Sequence, residues 1–236
     1  MFLEEMRTTD FNEGEKYIFV IPTGSTEQHG PFLPFGTDSY IQDTITEEAE
    51  KQIPEIIFLP TIRIACSEEH EGFAGSVWLS LDTMERVMND ICKSLQPLAK
   101  KIIFTTAHGG NIEILNKFIG KYKNKFKGVD LHYIDLDNDE IERKTIELIG
   151  GPIDDHAGNT EISMMLDIRK DLTTIPQKDY PKKSIENAFE TNHLKDLSED
   201  GIADNHPKWV ISNKNGKKIM QWIVEGFVEE LKRIAD

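Results

Sequence analysis

The chain has 236 residues, enough for one large domain whose core needs no disulfide to hold it. Aspartate and glutamate number 42 against 27 lysines and arginines, a formal charge of −15. That charge repels a phosphate backbone, which argues against nucleic-acid binding, and it tolerates cationic ligands, metal ions included.

Residues 17–21, Tyr-Ile-Phe-Val-Ile, are β-branched and aromatic and stop at Pro22-Thr23-Gly24, the pattern of a buried strand. A proline-rich loop and a helix over 38–52 follow. Ile56–Leu59 reads as a second strand, stopped by Pro60, and a long loop runs from Ala65 to Ser80. A helix then starts at Asp82, with Glu85 three residues on in capping-box spacing. Its apolar face is Met84, Val87, Met88, Ile91, Leu95 and Leu98, and Pro97 ends or bends it.

Ile102–Phe104 is a third strand that runs into Ala107-His108-Gly109-Gly110-Asn111. A helix over 112–126, a strand at 131–134 and helices at 138–149 and 159–168 follow. Residues 169–212 are polar and irregular, too long for an idle connection, and suit a lid or binding loop. A last helix over about 215–234 carries Ile219, Trp222, Ile223, Phe227, Leu231 and Ile234 on one face. The alternation predicts one domain over residues 1–236, a three-layer α/β/α fold around a mainly parallel sheet.

The two cysteines, Cys66 and Cys92, form no C-x-x-C pair and read as buried thiols. No run of about 18 apolar residues exists, and the first residues lack a basic region followed by an apolar one. The expectation is a cytoplasmic protein with no membrane partner.

Three clusters carry chemistry. The first strand delivers Glu27, His29 and Asp38 in a rigid Gly/Pro-rich loop. All three are good ligands for a divalent metal. The third strand delivers His108, followed by two glycines that permit close backbone approach. Asp154-Asp155-His156-Ala157-Gly158-Asn159-Thr160-Glu161 adds a histidine and another carboxylate, Glu161, which could instead cap the helix there. Two clusters sit at carboxyl ends of strands, where sites form in open α/β sheets. Glu27, His29, Asp38, His108 and Glu161, with one bridging carboxylate, suit a two-metal site that activates water and polarises a carbonyl. His156 is left as a general acid or base, with Asp154 or Asp155 to orient it. There is no P-loop, G-x-G-x-x-G or G-x-S-x-G.

The segment GSTEQHGPFLPFGTD from Gly24, the loop Ser67–Ser76, the turn His108–Asn111 and HAGNTEIS from His156 resemble the creatinine amidohydrolase (creatininase) family. The order holds along nearly the whole chain. The resemblance implies a homo-oligomer, often a hexamer, and a divalent metal centre, commonly with two ions per chain of zinc, manganese or iron. It also implies hydrolysis of a non-peptide amide. Carried onto this sequence, Glu27 and His108 bind one metal and His29 the other, Asp38 bridges them, and His156 assists proton transfer. In creatininases proper a glutamate ligates at the position of Gly110, so Glu161 is the nearest candidate to complete the metal shell, and it is counted with His156 among the catalytic residues as well. Phe32, often histidine in relatives, points to a more apolar pocket.

The expected activity is therefore hydrolysis of a non-peptide C–N bond in a small cyclic amide or formamide, through a metal-bound hydroxide. A formamidopyrimidine-nucleotide deformylase stays open. Such a nucleotide would want basic groups near the site, and Arg63, Lys178, Lys182 and Lys183 are the candidates. A non-catalytic, metal-stabilised binding or assembly protein and a dinuclear phosphoesterase also stay open. His70 could line the pocket, His193 and His206 read as surface residues, and Asn111 could bind substrate or cap a helix.

Overall fold

The structure is a computed structural model and describes residues 1–136, 138–182, 185 and 193–236. Four strands, β1 (Tyr17–Thr23), β2 (Ile57–Phe58), β3 (Ala99–Thr106) and β4 (Asp130–Asp135), form a parallel sheet in the order β2-β1-β3-β4. Side chains alternate across a strand, so each strand feeds two cores. Ile18 and Val20 of β1 enter one, Phe19 and Ile21 the other. Ile103 and Ile134 follow the first pair; Ile102, Phe104 and Leu131 follow the second.

Helices α1 (Thr37–Glu50), α4 (Asp139–Ile149), α5 (Asn159–Ile168) and α6 (Asn213–Ala235) close the first core. Helices α2 (Leu81–Leu95) and α3 (Ile112–Tyr122) close the second. The result is the expected three-layer α/β/α arrangement with a parallel central sheet. The chain leaves β1 toward α1 and β2 on one side, and returns through β3 on the other. The gap between the ends of β1 and β3 is thus the topological switch point.

Several local expectations shift. The α2 helix starts one residue early, and Ser80, not Asp82, caps it by accepting from the Thr83 N–H at 3.3 Å. Glu85 instead accepts from Lys121 Nζ and Tyr122 Oη, which ties α2 to α3. The α3 helix ends at Tyr122, because the chain turns so that Phe126 can return to the core and stack on Tyr122. In the 169–212 region, β6 (Ala203–Asp204) pairs antiparallel with β5 (Asp154–His156). Leu194, Ser198, Ile202 and Ala203 are buried, so this part packs down on the protein body. Both cysteines are buried and unbridged. Among the described residues no helix is long and apolar enough to cross a membrane.

Candidate metal centre

Gly24, just past β1, starts the site loop. A Cβ there would lie 2.8 Å from the Ser39 backbone, so a side chain would push the first turn of α1 away from the strand end. With glycine the turn packs close, and Asp38 swings over the strand ends. Asp38 Oδ1 lies 3.1 Å from His29 Nε2, and its Oδ2 lies 3.5 Å from His108 Nδ1. The Ser25 hydroxyl also donates to Oδ2. Asp38 thus stands between the two histidines.

Glu27 is 1% exposed, yet neither carboxylate oxygen has a hydrogen-bond partner of good geometry. Its oxygens face His70 Nε2 at 3.0 Å, His108 Nε2 at 3.3 Å and His156 Nδ1 at 3.8 Å. A buried carboxylate without donors costs free energy unless a cation or proton meets it. His29 is anchored by Nδ1 on the Glu27 carbonyl at 3.1 Å, and its Nε2 reaches Glu161 Oε1 at 3.8 Å.

Glu161 divides its two oxygens. Oε2 accepts from the Ala157 N–H at 2.6 Å, so the capping alternative holds for that oxygen. Oε1 faces His29. Ala157 stands at φ 56°, in the left-handed region unusual for a residue with a Cβ.

Three sets of donors could each hold an ion: Glu27/His29/His156, Glu27/Glu69/His108 and His29/Asp38/Glu161. All six expected residues therefore meet in one place. Nitrogen and carboxylate oxygen donors suit zinc, manganese or iron, and the orphaned oxygens of Glu27 give the fit a physical basis.

Protonation follows the same packing. Burial and its neighbour Asp38 push Glu27 up to about 7, against the pull of His108 and His29. Burial alone would raise Asp38, but His29 and His108 outweigh it and hold it well below the usual carboxylate range. Burial would discharge His29 too; Asp38 and Glu161 overcome it and raise its pKa. For His156 the pull of Glu161 and Asp38 is too weak to overcome burial. Burial, with His29 and His70, drives it well below the usual histidine value.

Other expectations are corrected. Of the two aspartates expected to orient His156, Asp154 accepts from Gly158 N, Thr160 N and Thr160 Oγ1 at the start of α5, and Asp155 lines the cleft. The backbone carbonyl of Gln28 orients the ring instead, at 2.7 Å from His156 Nε2. Asn111 spans Gly24 O and Cys66 N, stitching the loop ends together, and is buried away from substrate space. His206 is buried, and His193 lines the cleft, so neither is a plain surface residue.

Phe32 packs against Tyr180 and Trp209 and does not line the cleft. Arg63 pairs with Asp43, Lys182 with Asp204 at 2.7 Å, and Lys178 is exposed. Lys183 lies outside the described residues. Sequence reasoning missed Gln28 and Glu69; both lie inside segments already singled out, but neither residue type announces its role at that spacing.

The centre floors a cleft of about 710 Å³. Glu68, Glu69, Glu113, Asp155 and Glu161 line it, and no described lining residue is lysine or arginine.

The family model for creatininase, described as creatinine amidohydrolase, matches residues 4–231. The chain belongs to the creatininase family. Solved structures agree on the fold. A creatinine amidohydrolase (creatininase) superposes with a TM-score of 0.75 at 17% identity, over 98% of this chain and 96% of that one. A putative creatinine amidohydrolase from Bacteroides fragilis does so with 0.73 at 19%, over 100% and 96%.

Among curated proteins, a mycofactocin precursor peptide peptidase of Mycolicibacterium smegmatis is 29% identical over 159 residues, 65% of this chain and 59% of the relative. Its Mycobacterium tuberculosis counterpart is 30% identical over 156 residues, 62% of this chain and 57% of the relative. The match thus spans under two thirds of these relatives' length. Their names overturn two expectations for this branch of the family, hydrolysis of a non-peptide C–N bond and a small cyclic amide or formamide as substrate. The family motifs are shared across reactions, so they could not separate one amide from another.

Proposed function

We propose that this chain is a metal-dependent peptidase. The observation that carries the reading is a buried carboxylate–histidine centre beneath an open cleft, in a chain similar to named peptide peptidases. Glu27 and His108 would hold one divalent cation and His29 and Glu161 a second, with Asp38 between them. Such cations, when bound, polarise a carbonyl and ease deprotonation of water.

His156 moves the proton. Its Nε2–H is held by the Gln28 carbonyl, so Nδ1 carries the lone pair and faces the centre. With its pKa depressed, the ring is neutral at the start; Nδ1 takes a proton from the attacking water and passes it to the amide nitrogen as the C–N bond breaks. The acidic lining favours peptides with a cationic end or side chain at this cleft, and among the described residues it offers phosphate esters no cationic clamp.

The test is incubation of manganese-, zinc- or iron-loaded protein with a panel of short peptides and precursor peptides, read by mass spectrometry. New peptide termini that vanish with chelator are expected. Loaded protein that cleaves nothing in the panel, or cleavage indifferent to chelator, would overturn the reading.

A further inference from the structure

Glu69 sits in the middle of the short 3-10 turn Glu68–His70, on a loop separate from the strand ends that supply the other donors. Its carboxylate enters the centre from the cleft side. Oε1 lies 3.5 Å from His108 Nε2 and 4.0 Å from His70 Nε2. That oxygen is buried and has no hydrogen-bond partner, although the side chain as a whole is 22% exposed. The fully buried Glu27, also lacking hydrogen-bond partners, points into the same space. One donor atom each from Glu27, Glu69 and His108 lies within 4.8 Å of the others, a spacing a single cation can draw together if it takes the place of the contact that His108 Nε2 makes with the Cys66 carbonyl at 2.6 Å.

Gly110 gives independent support. Its φ is not in the left-handed region, so the backbone does not call for glycine there. Space does. A Cβ at residue 110 would overlap Glu69 Oε1 and His108 Nε2 and lie 2.7 Å from the Cys66 carbonyl oxygen. The glycine holds open the place that the Glu69 carboxylate occupies.

We propose that Glu69 is a divalent-cation ligand, completing a Glu27–Glu69–His108 set, and that Gly110 is the gap that admits it. The inference rests on the metal-centre reading above and extends it to a residue from a different segment. Glu161 then serves the His29–Asp38 side, while Glu69 serves the Glu27–His108 side. The two carboxylates are not alternatives for one role.

The test is cation content. Wild type, Glu69→Gln and, as a neighbour outside the centre, Glu71→Gln are stripped, reloaded with manganese, desalted and analysed for metal; manganese affinity is measured by titration calorimetry. Wild type and Glu71→Gln should each hold about two ions per chain. Glu69→Gln should lose one, or bind it at least about tenfold more weakly. Gly110→Ala, with Glu69 intact but displaced, should lose the same ion. Circular dichroism and thermal unfolding in chelator show whether each variant is folded.

Folded Glu69→Gln with wild-type content and affinity would overturn the proposal while leaving the metal centre standing. Folded Gly110→Ala with unchanged uptake would overturn the part assigned to the glycine. Wild type that takes up no cation would instead remove the metal-centre reading itself.

Discussion

The backbone carbonyl oxygen of Gln28 lies 2.7 Å from Nε2 of His156. A carbonyl cannot donate, so this shorter of the two Gln28 contacts calls for the proton on Nε2 and the lone pair on Nδ1. The Gln28 side chain completes the arrangement. Its amide nitrogen lies 3.0 Å from His70 Nδ1, 3.0 Å from His156 Nε2 and 3.1 Å from the Gly201 carbonyl, and its oxygen accepts from Gly30 N at 2.9 Å.

Gln28→Ala keeps the backbone carbonyl and removes the amide. It should cost about 1–3 kcal/mol of stability, because buried partners lose their hydrogen bonds. The shape of the pH–rate profile should persist, since the His156 tautomer is still held. Urea unfolding and kcat across pH check the two halves. A changed profile with unchanged stability would contradict the assignment.

Asp38→Asn keeps the shape between His29 and His108 but removes the charge. Cation content should fall, and hydrolysis should drop by more than about a hundredfold, the upper figure for outer-shell partners. Elemental analysis beside a turnover assay decides it; full content with full activity would show that Asp38 is no bridge.

His70 gives a pH prediction for the stripped protein. Burial lowers its pKa from the ordinary 6.5 to about 4. Between those values the unfolded chain binds a proton that the folded one refuses, so this group's contribution is intact above about 6.5 and is lost as pH falls toward 4. By about pH 5 the loss is on the order of 2 kcal/mol. Glu27, raised to about 7, opposes this slope, so the comparison must be made by difference. Chelated His70→Gln should lose less stability than chelated wild type between about pH 7.5 and 5. Equal slopes in urea titrations would show that His70 is not excluded from protonation.

Chelation should destabilise the protein as a whole. The centre joins segments around residues 27–38, 69–70, 108 and 156–161, none of which holds a preformed site when unfolded. Free cation at about a hundred times its Kd adds about 2.7 kcal/mol, roughly 5–10 °C in Tm at this chain length. Scanning calorimetry with and without EDTA measures it, and coincident traces would refute it.

The parallel strands, the helices and the clustering of Glu27, His29, Asp38, His108, His156 and Glu161 were legible because long apolar periods and spaced donors leave marks in sequence. Short or long-range features were not. Two-residue β6 carries no period, and Glu85 was drawn away from its own helix by Tyr122 and Lys121. Gln28 looks like any polar loop residue until His70 and His156 arrive from far along the chain. Glu69 was hidden because the space it fills is defined by a missing side chain at Gly110.

Thr23 at the end of β1 is aligned with Thr106 at the end of β3. Glu27 and His108 depart from those two residues, so the strand alignment works as a caliper for the gap between them. One step of slippage would move one jaw by about 3.3 Å. A metal–donor bond tolerates only about 0.2 Å. An insertion or deletion inside β1 or β3 should therefore abolish the proposed hydrolysis with every ligand still present, and a damaged ruler would look, in an assay, like a missing part.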